Sequence, residues 1–141
     1  MLGSPVTRPA PELPPGPRLA LVVATAAYAD ASLRQLRAPA RDAADLAEVL
    51  ADPAVGGFTV TTVADAAGQE LRLAVGDFLD GRGSGDLVLV YLSCHGLVDA
   101  RRRLYFAAAD TRKSRLAATA VESREMRHAW TSPSGRSATV A

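Results

Sequence analysis

Three short hydrophobic segments along the chain predict the strands of a sheet. Residues 19–23 and 87–92 are continuous apolar runs, which are typical of strands that are buried on both faces. Residues 58–63 read Phe-Thr-Val-Thr-Thr-Val, and this alternating, β-branched pattern also favours a strand. We therefore expect three strands, of which the first and third lie deepest in the protein.

Helical periodicity fills the two intervals between these strands. Apolar residues recur at 3-4-3 spacing after Pro39 and predict a helix over about 41–51, and a second stripe predicts a helix from about 66 to 80. The positions of the two stripes are Ala43, Leu46, Ala47 and Leu50, then Leu71, Ala74, Val75, Phe78 and Leu79. Strands that alternate with helices predict an α/β fold with a parallel sheet and helices on both faces.

The remaining segments predict smaller elements and two irregular ends. Residues 104–106 fit one arm of a hairpin, and Ser123 fits the start of a third helix. Residues 1–17 contain six prolines and predict a disordered leader, whereas residues 131–141 read as an irregular tail. One domain is therefore expected over residues 18–130, since 141 residues suit one core better than two.

Composition removes several classes of function. The net charge is +1, and the run Arg101-Arg102-Arg103 reads as a solvated turn, so we expect no nucleic-acid partner. No apolar run is long enough to cross a bilayer, so we expect no membrane partner. Residues 19–27 also resemble a short secretory signal, but a buried strand explains them better. The single cysteine, Cys94, excludes an internal disulfide and fits a cytoplasmic location.

The segment Ser93-Cys94-His95-Gly96 directly follows the third predicted strand. Ligands of parallel α/β proteins bind at the carboxyl ends of strands, so His95 is either a general acid–base or a residue that only bonds nearby backbone. Cys94 and His95 leave the strand in opposite directions, which makes Cys94 a small buried hydrophobe rather than a partner of His95. Gly96 is an oxyanion donor or a turn residue. Asp42 either lines a pocket or, as the default interpretation, only stabilises the N-terminal end of its helix dipole.

Together these segments resemble the caspase and metacaspase superfamily, peptidase family C14, and its bacterial branch in particular. The resemblance rests on LALVVAT, LRQLRAPARDAADLAEVL, GFTVTTVADA and, above all, DLVLVYLSCHGLVDARRRLYFAAADT. Ser93-Cys94-His95-Gly96 matches the Ser-x-His-Gly signature that ends the third strand in this family. The resemblance implies a three-layer α/β/α sandwich with a mainly parallel central sheet, of which the C-terminal part is missing here.

The resemblance also implies a chemistry. A cysteine would attack the scissile carbonyl, His95 would pass a proton to the leaving amine, and the Gly96 N–H would help to hold the oxyanion. Asp42 and Ser93 match the positions that line the substrate pocket in metacaspases, where a carboxylate favours cleavage after Arg or Lys. Pro39 stands where metacaspases often have a cysteine before this helix.

The family's nucleophile is missing from the sequence. It would follow His95 by about 50 residues, on the next strand, but 46 residues follow His95 and none is a cysteine. We therefore expect an incomplete cysteine endopeptidase domain, or alternatively a catalytically inactive caspase-like binding module. A flavodoxin-like phosphate binder is less favoured because residues 24–27 contain no glycine. We expect a peptide or protein substrate, no cofactor and no metal, since no calcium-ligand cluster is evident.

Overall fold

Three parallel strands form the centre of the computed structural model, which describes Gly3 and residues 12–130. They are β1 (Arg18–Ala24), β2 (Thr59–Ala64) and β3 (Leu87–Ser93). The strand order is β2-β1-β3, and both pairings are parallel. This confirms the predicted parallel sheet. β1 is the middle strand and is the most deeply buried, because it has a neighbour on each edge and helices over both faces.

Helices cover the two faces of this sheet. Helix α1 (Pro39–Ala51) packs Ala43 against Val22 and Ala24 of β1. Helix α2 (Gly68–Leu79) packs against the opposite face, where Leu21 and Val23 join Leu71, Val75 and Phe78 in the larger core cluster. Because β2 and β3 lie on opposite sides of β1, right-handed crossovers place the two connecting helices on opposite faces. The three-layer α/β/α arrangement follows from this topology.

The first helix begins and ends at residues that the sequence pattern indicated. Pro39 occupies the start of α1, where its missing N–H costs no hydrogen bond. After the helix, the N–H of Phe58 donates to Leu50 O at 2.8 Å. Gly56 makes this return possible, since a Cβ there would lie 2.7 Å from Leu50 O, and Gly57 adopts a φ of +63°.

A small antiparallel sheet follows β3. Its strands are β4 (Gly96–Val98), β5 (Leu104–Phe106) and β6 (Val121–Glu122), in the order β4-β5-β6. The predicted hairpin arm at 104–106 is β5, and Arg101 lies in the turn that precedes it. Between β5 and β6 the chain forms a 3-10 turn (Lys113–Arg115) and helix α3 (Leu116–Thr119). The chain continues into helix α4 (Ser123–Trp130), the third helix expected from the sequence.

The described part of the leader is attached to the sheet by its last residues. Gly16 N–H donates to Gly85 O at 2.7 Å, and Leu87 N–H donates to Pro17 O at 2.9 Å. Most of the predicted leader and the whole tail at 131–141 lie outside the described residues. Within the described part of the chain, no helix is both long and apolar enough to cross a bilayer.

Candidate active site

The carboxyl ends of the parallel strands bring three chain segments together. Ala24 of β1 is in register with Ala64 of β2 and with Ser93 of β3. The residues that follow these strands, including Thr25, Asp65 and His95, therefore meet at one edge of the sheet. Thr25 N–H donates to Ser93 O at 2.9 Å, which ties the loop after β1 to the segment that carries His95.

The imidazole of His95 is held by the loop between β1 and α1. Its Nε2 lies 2.6 Å from the carbonyl oxygen of Arg34. Its ring packs on the ring of Tyr28, with centroids 4.9 Å apart and planes tilted by 47°. The backbone N–H of His95 donates to Tyr28 Oη at 3.0 Å. Both side chain and backbone of His95 are thus fixed by two residues of one loop.

The contact with Arg34 determines which ring nitrogen carries the proton. A carbonyl oxygen can only accept a hydrogen bond, so Nε2 must donate. In the neutral imidazole Nδ1 is then unprotonated and has a lone pair available. His95 therefore bonds nearby backbone and also keeps one nitrogen available for proton transfer. A backbone-bonding role and a general acid–base role are thus compatible for this residue.

Tyr28 was not singled out from the sequence, and it organises the surroundings of His95. Its side chain is only 5% exposed, and its hydroxyl donates to Thr25 O at 2.9 Å. Gln35 fixes its backbone through two bonds of 2.8 Å, since Gln35 Oε1 accepts from Tyr28 N–H and Gln35 Nε2 donates to Tyr28 O. Burial raises the pKa of the Tyr28 phenol, and the bond from His95 N–H only partly offsets this. The phenol therefore stays neutral.

Asp65 is a second residue that the sequence did not indicate. It follows β2 with a φ of +46°, a conformation that Asp tolerates better than most residues. Its Oδ1 accepts from the N–H groups of Ala27 at 3.0 Å and Ala26 at 2.8 Å. These bonds lower the pKa of the Asp65 carboxyl. The carboxylate thereby holds the start of the loop that carries Tyr28 and Arg34.

Cys94 lies beside His95 in sequence but makes no bond to it. Within the described residues there is no hydrogen bond between the Cys94 thiol and the imidazole. Burial raises the pKa of the thiol from 9.0 to about 11, against a smaller lowering by the N–H of Ala107. A protonated thiol is a poor nucleophile. This environment agrees with the prediction that Cys94 behaves as a small hydrophobe.

Gly96 begins β4, which is an edge strand of the small sheet. The bonds from Ala107 N to His95 O and from Asp99 N to Arg103 O mark hydrogen-bonded positions of the ladder between β4 and β5. These positions alternate along an antiparallel pair, so Gly96 directs its N–H away from β5, toward the open edge. Its φ is not positive, so backbone strain does not require a glycine here.

Asp42 and Ser93 lie at the same end and on the same face of the sheet. Ser93 is in register with Ala24, and Ala24 packs on Ala43, the neighbour of Asp42 in the first turn of α1. Asp42 is exposed, and its carboxylate makes no salt bridge in the described part of the chain. Their roles in a substrate pocket remain a prediction.

Metal ligands do not cluster in the described part of the molecule. Among residues 12–130 no group of three or more His, Cys, Asp or Glu side chains has the geometry to hold an ion. This edge of the sheet offers the imidazole of His95, with Nδ1 available, beside the Gly96 N–H at an open strand edge.

These features define a class, the three-layer α/β/α proteins that present a histidine at the carboxyl edge of a parallel sheet. The family model of the caspase domain, Peptidase C14, matches residues 17–122. The chain belongs to the caspase-domain family. No curated protein matches it in sequence.

Two solved structures share this fold. Protein GSU0716 from Geobacter sulfurreducens has a TM-score of 0.63 and 22% identity, and the match covers 81% of this chain and 44% of that one. The structure of pro-sf-caspase-1 has a TM-score of 0.59 and 19% identity, and the match covers 82% of this chain and 43% of that one. The chain thus spans less than half the length of either protein.

Proposed function

We propose that the chain forms the histidine-bearing part of a cysteine endopeptidase domain, in which His95 transfers protons. The bond between His95 Nε2 and Arg34 O carries this proposal. A base must be oriented by a third group so that its reactive nitrogen points in a fixed direction. Arg34 O plays that part, and it leaves Nδ1 available to a thiol or to a leaving amine.

The proposed reaction uses a cysteine other than Cys94, located outside these 141 residues. Nδ1 of His95 takes the thiol proton, and the thiolate sulfur then attacks the scissile carbonyl carbon. The carbonyl oxygen becomes an oxyanion, to which Gly96 N–H donates. When the C–N bond breaks, Nδ1 returns its proton to the amine nitrogen. Water then hydrolyses the thioester, again with His95 as the base.

Substrate selection is assigned to the first turn of α1. Asp42 has no charged partner within the described residues. It lies at the end of the sheet where β3 ends at Ser93. A carboxylate in that place favours Arg or Lys before the cleaved bond, by charge-assisted hydrogen bonding. The expected partner is therefore a peptide or protein with a basic residue at the cleavage site, and we place this reaction in the cytoplasm without a cofactor.

Activity is tested in a chimera. The chain is extended with the following strand and its cysteine from an active caspase-domain protein. We expect cleavage of Arg and Lys reporter peptides, loss of cleavage in His95→Ala, and little change in Cys94→Ala. The unextended chain should show no cleavage. Iodoacetamide-sensitive cleavage by the unextended chain, lost in Cys94→Ala, would make Cys94 the nucleophile and overturn the assignment.

Specificity is tested separately in the same chimera. Asp42→Asn should lower kcat/KM on an Arg reporter by about tenfold or more, because a charge-assisted bond is lost. Asp45→Asn is the matched control, since it removes the same charge from the same helix one turn farther from the sheet edge. Equal losses in both variants would indicate a general electrostatic effect rather than a pocket.

A catalytically inactive binding module is the second candidate function. The observation that favours it is that Cys94 is the one cysteine of the sequence, and its half-buried thiol has a pKa raised to about 11. A chimera that folds, keeps the helical and strand content of its parents and still cleaves no reporter would support this second function over the first.

A further inference from the structure

An open cleft of about 650 Å3 lies beside the small sheet. One side is formed by β4 and the turn that follows it, residues 97–100, and the other by residues 113–118 of the 3-10 turn and α3. The cleft starts at Leu97, two residues after His95, and extends toward the tip of the hairpin. Tyr28, Arg34 and His95 do not line it.

The walls of the cleft are aliphatic. Val98 is 62% exposed, which is unusual for a strand residue of this size. Leu116 is half-buried in the opposite wall, and Ala117 and Ala118 are exposed beside it. The two walls thus present apolar surface to solvent and to each other, with room between them for an aliphatic side chain.

The segments that form and flank the cleft are basic. Residues 99–115 contain six basic and two acidic side chains, a net charge of +4, whereas the whole chain has a net charge of +1. This net charge already includes Asp99, whose carboxylate pairs with the guanidinium of Arg103 at 2.8 Å. Lys113 and Arg115 project from the cleft wall, and Arg101 lies in the adjoining turn.

These cations are held without side-chain bonds in the described part of the chain. Lys113 is anchored through its backbone N–H, which donates to Asp30 Oδ2 at 2.8 Å, and Arg115 through its backbone N–H to Arg112 O at 2.8 Å. Asp30 attracts the Lys113 ammonium from the neighbouring loop without forming a salt bridge to it in the described part of the chain. Backbone hydrogen bonds thus fix the positions of Lys113 and Arg115, and their charged groups remain available to a binding partner.

We propose that this cleft binds an acidic peptide segment of a protein partner, with an aliphatic side chain seated between Val98 and Leu116. Carboxylates of the segment pair with Lys113, Arg115 and Arg101. The apolar walls of the cleft select a leucine-like residue between these carboxylates. A nucleic acid fits less well, because no aromatic side chain lines the cleft for base stacking. This binding requires neither His95 nor a nucleophile, so it is independent of the proposed peptidase function.

Binding is measured by fluorescence anisotropy with the full 141-residue chain and a labelled peptide of Glu-Glu-Leu repeats. We expect saturable binding that weakens as salt is added, since exposed charges are screened. Lys113→Glu combined with Arg115→Glu should weaken it by about tenfold or more. Arg37→Glu combined with Arg41→Glu, an equal charge change at exposed positions of α1 and of the loop before it, is the matched control and should change the affinity by less than about twofold.

The apolar half of the proposal has its own test. Val98→Ser should weaken binding of the Glu-Glu-Leu peptide by about fivefold and leave a Glu-Glu-Ser peptide unaffected. Lys113→Gln with Arg115→Gln, which removes charge without reversing it, should give an intermediate loss. Circular dichroism melts of each variant verify that the chain is folded, and the Gln pair replaces the Glu pair if the latter does not fold.

Several results would overturn the proposal. They are the absence of saturable binding, equal binding of a Lys-Lys-Leu peptide, equal loss in the Arg37→Glu, Arg41→Glu control, and tighter binding of a single-stranded oligonucleotide than of the acidic peptide. None of these results bears on cleavage by the chimera, and an inactive chimera leaves the docking result unchanged.

Discussion

Alkylation of Cys94 by iodoacetamide is expected to be slow at neutral pH because burial disfavours the thiolate. The pKa of this thiol is raised from 9.0 to about 11, chiefly by loss of solvent around the sulfur. The N–H of Ala107 stabilises the thiolate but does not compensate for burial. The reactivity of Cys94 therefore reports directly on whether it is a nucleophile or a packing residue.

The size of the effect follows from the fraction of thiolate. At about pH 7.5 a thiol of pKa 9.0 is roughly 3% ionised, and one of pKa about 11 is roughly 0.03% ionised. This is a difference of about 100-fold. The more basic thiolate is intrinsically more nucleophilic, and a Brønsted slope of about 0.4–0.5 recovers roughly six- to tenfold. The native thiol should then react about ten to twenty times more slowly, before any steric shielding.

Mass spectrometry of the intact chain gives the rate over a series of pH values. The same chain unfolded in guanidinium provides the matched control, because it contains the same cysteine without its folded surroundings. We expect the native rate to rise up to about pH 11, whereas the unfolded rate should level off about two units lower. His95→Ala should leave the native rate unchanged, since His95 makes no hydrogen bond to the thiol.

Fast alkylation would refute this reasoning. A native rate equal to the unfolded rate at neutral pH would show that the thiolate is not disfavoured. A fast rate that is also lost in His95→Ala would show that the imidazole activates Cys94, and the assignment of the nucleophile would then have to change.

Three further predictions concern stability, each measured by urea unfolding. Tyr28→Phe should lower the free energy of unfolding by about 1–3 kcal/mol, because it leaves buried hydrogen-bonding groups without a partner. Tyr91→Phe, whose hydroxyl makes no hydrogen bond to another described residue, should cost less than about 0.5 kcal/mol, and equal costs would contradict the role of Tyr28. Asp65→Asn should destabilise the chain at neutral pH, and the difference in unfolding free energy from wild type should narrow below about pH 4. A carboxyl whose pKa is lowered by folding stabilises the fold above its unfolded pKa and loses that stabilisation as the pH falls. A difference independent of pH would contradict this. Leu71→Ala should lower the free energy of unfolding by about 2–5 kcal/mol. Leu73 is 56% exposed in the same helix, so Leu73→Ala should lower it by less than about 0.5 kcal/mol. Similar losses would mean that the buried face of α2 is assigned wrongly.

The strands and long helices could be predicted from the sequence because their periodicity is local. The runs at 19–23 and 87–92 are apolar throughout, which favours strands covered on both faces. This holds for β1, whereas β3 lies at an edge of the described sheet and is only partly buried, with Leu89 37% exposed. α1 ends at Ala51, just before the turn residues that mark its boundary in the sequence. By contrast, β6 has two residues and α3 has four. Elements this short show no period, and tertiary contacts decide their conformation.

The candidate site was only partly predictable, for a related reason. His95 could be found because it follows a strand that is evident in the sequence. The group that orients it is the carbonyl of Arg34, and a backbone carbonyl leaves no trace in residue identity. Asp65 joins the loop after β2 to the loop after β1, which becomes meaningful only once the sheet places these strands side by side. Tyr28 is a single aromatic residue in a loop, without a pattern around it.

The geometry of His95 originates in the sheet and precedes any catalysis. β1 and β3 are direct neighbours, so the loop that follows β1 necessarily runs past the end of β3. Tyr28 and Arg34 belong to that loop, and they fix His95 without help from a nucleophile. An active and an inactive caspase-domain chain would thus share this arrangement. What separates them is whether a thiol reaches Nδ1, and for this reason the cleavage assay in the chimera and the reactivity of Cys94 together decide the function.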